Sequence, residues 1–251
     1  MKKFLGLFLA LFTVFSLAGC NKGEEGKTEA NDIMSYSEFM TAESGEEVRI
    51  EGFIAAKQGW WDGAVTCYLT TDVAGEGYFV YGLKCTEEEN NSTFKIGTYV
   101  QIAAKKTIYA GQHEIMGADI TEAKVVETTK KQATQPIDLN DKLDSLFDYQ
   151  NSYFTLTLDV KAYSFKGDEE GKDDLYFTLT NGTKDVACCV EFYLTGANTE
   201  VYKTVMSLKD KIGTSVTVTG YLYWWSNDEN PENVKANGAN PHIISCVINE
   251  K

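Results

Sequence analysis

This sequence is short of the residues that recognise phosphate and that carry most acid–base chemistry. Its 23 Lys plus Arg include a single arginine, Arg49, and its only histidines are His113 and His242. The guanidinium fork, which clasps phosphates and carboxylates through two parallel hydrogen bonds, is therefore nearly missing. No C-x-x-C, H-x-x-x-H, G-x-S-x-G or Walker-type loop occurs. Dithiol redox chemistry, histidine-bound metals, elbow-type serine hydrolysis and P-loop nucleotide binding are left without a sequence basis. Positive charge as a whole is scarce, because 37 Asp plus Glu bring the formal net charge to −14 over 251 residues. A phosphate backbone attracts basic faces, so this balance speaks against nucleic acid as a partner. A hydrophobic fraction of 43% and an aromatic fraction of 12% exclude a disordered or collagen-like chain.

Long apolar runs are also missing, with one exception at the start. Phe4 to Leu17 carries no charge and follows Lys2 and Lys3. It is too short to span a bilayer comfortably, which takes about 20 residues, and reads as the core of a secretory signal. It ends in Leu17-Ala18-Gly19-Cys20, which resembles the lipobox of bacterial lipoproteins. The resemblance implies removal of residues 1–19 and a diacylglycerol on Cys20. The expected location is then the extracytoplasmic face of a cell membrane, with the lipid as the membrane contact. An acidic body is repelled by anionic lipid, whereas two acyl chains suffice for stable anchoring. Residues 20–34, rich in Lys, Glu, Gly and Asn, read as a flexible tether.

The remainder carries an internal duplication. Lys95-Ile96-Gly97-Thr98 answers to Lys211-Ile212-Gly213-Thr214, and Val48 to Ile54 answers to Phe154 to Val160. His113 and His242 fall at matching places, which points to a shared structural role. Residues 35–126 and 137–251 form the two units, joined by a linker at 127–136. In unit one, Val48, Ile50 and Ile54 alternate with polar neighbours, as do Val65, Cys67 and Leu69, and Val100, Ile102 and Ala104. Thr86-Glu87-Glu88-Glu89 has capping-box spacing for a short helix, with Gly97 as its stop. In unit two, Leu175, Phe177 and Leu179 alternate, Val186 to Tyr193 makes a strand, and Val201, Val205 and Leu208 recur at helical spacing. Three strands, a short helix and two further strands make the element order of an OB-fold. The units resemble the OB-like domains of bacterial envelope lipoproteins, a group with members of unknown function. The expected fold is all-β with short helices: two tandem OB-fold-like five-stranded β-barrels after a signal peptide and flexible tether. Paired immunoglobulin-like sandwiches are the alternative, and need about seven strands per copy.

Aromatic residues supply the candidate sites. Trp60-Trp61-Asp62-Gly63 falls in the loop between the first two strands, beside the usual ligand face of an OB barrel. Flat rings with a nearby acid suit stacking on a sugar ring or a base; the alternative is that one tryptophan plugs the barrel end and the other rests on the neighbouring unit. In Tyr221-Leu222-Tyr223-Trp224-Trp225, strand alternation puts Trp224 inside and Tyr221, Tyr223 and Trp225 outside. Tyr68 and Tyr176 also point outward on second strands. This stripe serves either as a ligand or partner surface or as the interface between the two units.

Other features weigh less. Both units are acidic, with 7 basic against 14 acidic residues at 35–125 and 10 against 18 at 137–251. Asp168 to Asp174 offers oxygen ligands for Ca²⁺ but lacks EF-hand spacing, and a solvated loop is the simpler reading. A Cys67–Cys85 bridge is conceivable across a hairpin, while Cys188, Cys189 and Cys246 read as small buried hydrophobes. No catalytic residue, metal or cofactor emerges. The chain reads as a non-enzymatic module that binds an extracellular ligand, such as a glycan, or an envelope protein. The alternatives are an envelope hydrolase with paired carboxylates and a purely structural accessory subunit.

Overall fold

A computed structural model describes residues 32–249. The expected signal segment 1–19, Cys20 and the expected tether up to residue 31 lie outside the described residues. The rest of the expected tether is not loose. Met34 packs against the first core, and its N–H donates to the Arg49 carbonyl at 2.8 Å. Helix α1 (Tyr36–Thr41) follows, an element missed in the sequence although Ser35 and Glu38 form a capping box. α1 buries Phe39 completely.

Strands β1 (Glu47–Lys57), β2 (Ala64–Thr70), β3 (Gly77–Lys84), β4 (Tyr99–Tyr109) and β5 (Gln112–Val125) form a closed barrel in the order β1-β2-β3-β5-β4. Helix α2 (Glu87–Ser92) sits between β3 and β4, with the expected Thr86–Glu89 capping box. Gly97 is not its stop. The helix ends at Thr93, and Gly97, at φ +87°, makes the turn into β4. Alternate residues of β1 and β4, among them Ile50, Ile54, Val100 and Ile102, fill the barrel.

The second half contains β6 (Ile137–Asp138), β7 (Tyr153–Phe165), β8 (Leu175–Thr180), β9 (Asp185–Val190), α3 (Phe192–Thr195), α4 (Glu200–Met206), β10 (Ser215–Tyr221), α5 (Pro231–Asn237) and β11 (His242–Ile248). Its sheet runs β10-β11-β9-β8-β7-β6, and β10 also pairs with β7, so the circuit returns on itself. Leaving β6 aside, this is the first barrel's order strand for strand. Each half also has one parallel pair at the same place, β3 with β5 and β9 with β11. The repeated Lys-Ile-Gly-Thr motif shows the likeness at atomic level. Gly97 N–H donates to the Ile54 carbonyl at 2.8 Å, and Gly213 N–H to the Val160 carbonyl at 2.7 Å. Ile54 and Val160 return the bond from their own N–H groups to Thr98 and Thr214, both at 2.9 Å.

Three local expectations need correction. The strand expected over Val186–Tyr193 stops at Val190, and Tyr193 belongs to α3. β10 stops at Tyr221: the Leu222 N–H still follows the β7 register to the Ser152 carbonyl at 3.1 Å, but the Tyr223 N–H folds back onto the Tyr221 carbonyl at 2.9 Å. No disulfide joins Cys67 to Cys85; all five described cysteines are free and buried. The register sets Val80 opposite Cys67 and Lys84 opposite Ala64. Cys85 thus lies about four residues along the ladder, beyond the roughly 4.4–6.8 Å between Cα atoms that a disulfide spans.

The 127–136 segment straps itself onto the first barrel. The Lys130 ammonium lies 3.0 Å from a Glu51 oxygen, and Ala133 N–H donates to the Thr71 carbonyl at 3.0 Å. In the acidic loop, Glu169, Glu170 and Asp174 meet Lys172, Lys209 and Lys166. Among the described residues no group of three or more acidic, histidine or cysteine side chains is placed to hold a metal ion.

Candidate functional site: an aromatic cleft beside the seam

The two halves meet through aromatic rings. Tyr68 of β2 stacks on Tyr221 of β10, with centroids 4.4 Å apart and planes inclined by 12°. Phe79 of β3 meets Tyr223 edge-on at 5.3 Å, and Tyr153 packs against Tyr221 at 5.4 Å. The outward stripe read from the sequence is therefore largely consumed. Tyr68 and Tyr221 retain 1% and 3% of their exposure, so neither ring has a face free for a ligand. Alternation correctly turned them out of their barrels. It could not show that the other half covers them. The two halves cover Tyr68 and Tyr221 for each other, while Trp225 stays at the open edge.

A polar weld accompanies the rings. Gln112 at the start of β5 is fully buried, and its carbonyl accepts from the Trp224 N–H at 2.7 Å. Its amide donates to Asn151 Oδ1 at 2.6 Å and to the His113 carbonyl at 3.0 Å. Asn151 Nδ2 donates to that same carbonyl at 3.0 Å, and Gln150 Oε1 accepts from the His113 N–H at 2.9 Å. Gln150, Asn151 and Ser152 have no exposure at all. Every amide in this cluster is matched, which is what makes a buried polar network stabilising rather than costly.

Where the seam opens to solvent it leaves a cleft of about 660 Å³. Tyr176 of β8, Tyr223 and Trp225 stand around it with Tyr81 of β3. Trp225 is 44% exposed and Tyr81 53%, so both offer ring surface to solvent. Asp174, Glu191 and His242 also line it. Asp174 is committed locally. One oxygen accepts from the Phe192 N–H at the start of α3 at 2.8 Å, and the other lies 3.3 Å from the Lys166 ammonium. Glu191 is freer. Its Oε1 accepts from the Gln58 amide at 2.6 Å, while Oε2 meets no hydrogen-bond donor among the described residues and sits 3.8 Å from His242 Nδ1. Burial, aided by the Asp174 charge, raises the Glu191 carboxyl to about 7.

His242 lies face to face with Tyr223, centroids 4.5 Å apart, and burial drops its pKa to about 3. It is therefore a neutral imidazole at ordinary pH. Its Nδ1 lies 3.1 Å from the Tyr68 hydroxyl. The direction of that bond follows the imidazole tautomer, since a hydroxyl can donate or accept. His113, its counterpart on β5, is likewise buried and depressed, to about 4.

Of the eight ligand-binding candidates, the structure brings together Tyr176, Tyr223 and Trp225. Trp60 is half-buried against the first core and donates its Nε1–H to the Cys85 carbonyl at 2.8 Å. Trp61 is 82% exposed beside a two-residue turn in which Asp62 and Gly63 both take positive φ. Asp62 borders a second hollow of about 400 Å³, and Tyr81 lines that hollow as well as the cleft. Sequence reasoning missed Tyr81, Gln58 and Glu191, and weighed Asp174 only as a cation ligand of the acidic loop. Only the alternation of β3, which puts Tyr81 on the face opposite Val80, carried any signal.

No family model matches the chain, and no curated protein matches it. Among solved structures it is similar to a murine DNA-binding protein bound with double-stranded DNA, at a TM-score of 0.37 and 10% identity over 81% of this chain and 97% of that one. A p204 HINb domain aligns at a TM-score of 0.36 and 11% identity, over 83% of this chain and 100% of the other. A Replication Protein A heterotrimer bound to single-stranded DNA aligns at 0.31 and 10% identity, over 84% of this chain and 51% of that one. These similarities overturn one expectation. The acidic balance had set nucleic acid aside as a partner, and that exclusion is withdrawn, since structures similar to this chain include DNA-bound ones. Net charge describes a whole surface, whereas contact is made by one face of it.

Proposed function

We propose that this chain is a non-enzymatic binding module, held by a lipid on Cys20 at the extracytoplasmic face of a cell membrane, which takes a glycan in the cleft beside the seam. One observation carries the reading: aromatic rings and hydrogen-bonding groups line an open hollow beside the seam of the two halves. Rings stack on the apolar faces of sugars, while Glu191, His242 and Asn240 are suited to hydroxyls. Binding is favoured over hydrolysis because Asp174 spends both oxygens on Phe192 and Lys166, leaving Glu191 without a free carboxylate opposite.

Titrating the full chain in detergent with an oligosaccharide panel, by calorimetry and tryptophan fluorescence, tests this. Trp225→Ala should weaken binding about 10-fold, the worth of one stacked ring at about 1.4 kcal/mol, with the melting temperature nearly unchanged. Saturable binding that survives both Trp225→Ala and Tyr176→Ala would remove the cleft from the account. An oligonucleotide arm in the same titration decides the nucleic-acid question directly. Release of reducing ends from any bound oligosaccharide would overturn the non-enzymatic reading.

A further inference from the structure

We propose that the glycan bound here carries free amino groups, so that an ammonium of the ligand meets the Glu191 carboxylate while a sugar ring lies against Trp225 and Tyr176. This inference rests on the reading of the cleft as a glycan site and deepens it. Its first support is the lining, which contains no lysine or arginine. A carboxylated or sulfated sugar would find nothing there to answer its charge. The second support is the state of Glu191. Its only donor is the neutral amide of Gln58, and its Oε2 is unpartnered among the described residues. Lys166, a cation whose charge reaches Glu191, is engaged with Asp173 and Asp174 at 3.7 and 3.3 Å. His242 is neutral and cannot serve as the counter-ion. A partly buried carboxylate without a counter-charge is costly, and a ligand ammonium removes that cost.

The third support is the ring geometry. Tyr81, Tyr176, Tyr223 and Trp225 surround the same space as Glu191. Ring faces are electron-rich and attract cations as well as the C–H faces of sugars. An amino sugar satisfies both demands at once, with its ring on tryptophan or tyrosine and its ammonium between those rings and Glu191. A fully N-acetylated sugar of the same shape keeps the stacking and loses the ion pair.

The test compares a β-1,4-linked glucosamine tetramer with its fully N-acetylated counterpart on the full chain in detergent. The amino tetramer should bind at least 10-fold tighter. Glu191→Gln keeps the side-chain size, and should reduce that preference to within about 2-fold while leaving affinity for the acetylated tetramer unchanged. Glu169→Gln, on an exposed loop, should leave the preference intact, which separates the cleft from general attraction to an acidic body. Circular dichroism melting confirms that each variant folds. Equal binding of the two tetramers by the native chain would overturn the amino-group inference while leaving the glycan reading standing. A preference that survives Glu191→Gln would overturn it too, as would one lost equally in Glu169→Gln. Binding of neither tetramer, nor of any other oligosaccharide, would overturn both.

Discussion

Replacing Gln112 by methionine should split this molecule along its seam. The substitution keeps the length and most of the volume of the side chain while removing its carbonyl and amide. Two buried groups then lose their partners, the Trp224 N–H and Asn151 Oδ1, now held at 2.7 and 2.6 Å. The His113 carbonyl keeps its bond from Asn151. Each buried group left unsatisfied costs about 1–3 kcal/mol, so the loss should be about 4 kcal/mol. That is a large part of the roughly 5–15 kcal/mol that stabilises a typical protein. The two bonds that leave a group stranded join β5 of the first barrel to segments of the second half, so the cost falls on their union. The native chain should unfold in urea as one transition, seen alike by far-ultraviolet circular dichroism and tryptophan fluorescence. The Gln112→Met chain should show a lower midpoint and two separated transitions. A loss under about 1 kcal/mol with a single transition would refute the claim that this network welds the halves.

Three further outcomes follow. Lys106 is buried and donates to the carbonyls of Met40 and Ala42 at 3.2 and 2.6 Å, closing the end of α1; Lys106→Met should cost about 2–4 kcal/mol and open the 36–42 segment to proteases. Burial raises the Glu114 carboxyl from 4.5 to about 7, so its protonated form favours folding, and this stability is present below pH 4.5 and lost as pH rises to 7. Glu114→Gln should therefore match the native melting temperature near pH 4 and exceed it increasingly towards pH 8, by up to about 3 kcal/mol, and a constant difference across that range would show that the carboxyl does not titrate as described. If Cys20 carries the anchor, Cys20→Ser should abolish labelling by a radioactive fatty acid and release the chain from membranes, whereas retained label would place the lipid elsewhere.

Much of the architecture was readable because strands advertise their faces. Period-two alternation in Val48–Ile54 and Leu175–Leu179 located buried strands, and the Thr86–Glu89 spacing located α2, since a capping box is a local event. The repeated Lys-Ile-Gly-Thr motif marked the two glycine turns that close equivalent hydrogen bonds. Other local signals were present and passed over, as with Ser35 and Glu38 before α1. The end of β10 left no signal, because the chain folds back there through a Tyr223 N–H to Tyr221 carbonyl bond in a stretch of apolar and aromatic residues without Gly, Pro, Asn or Asp.

The candidate site divides along the same line. Composition and patterning by themselves determined that this is a duplicated β protein with an acidic surface, with Trp224 turned into a core and Trp225 away from it. Those properties follow from each residue and its near neighbours. Only the tertiary structure decided that Tyr68 and Tyr221 would stack on each other while Tyr176 and Trp225 stayed at an open edge. The same docking placed Tyr81 and Gln58 of the first barrel opposite Glu191 and His242 of the second half. Alternation says which way a side chain faces, but what lies in front of it depends on how two separately patterned surfaces come to rest, and that is set by shape and by the pairing of buried amides rather than by any residue's own preference.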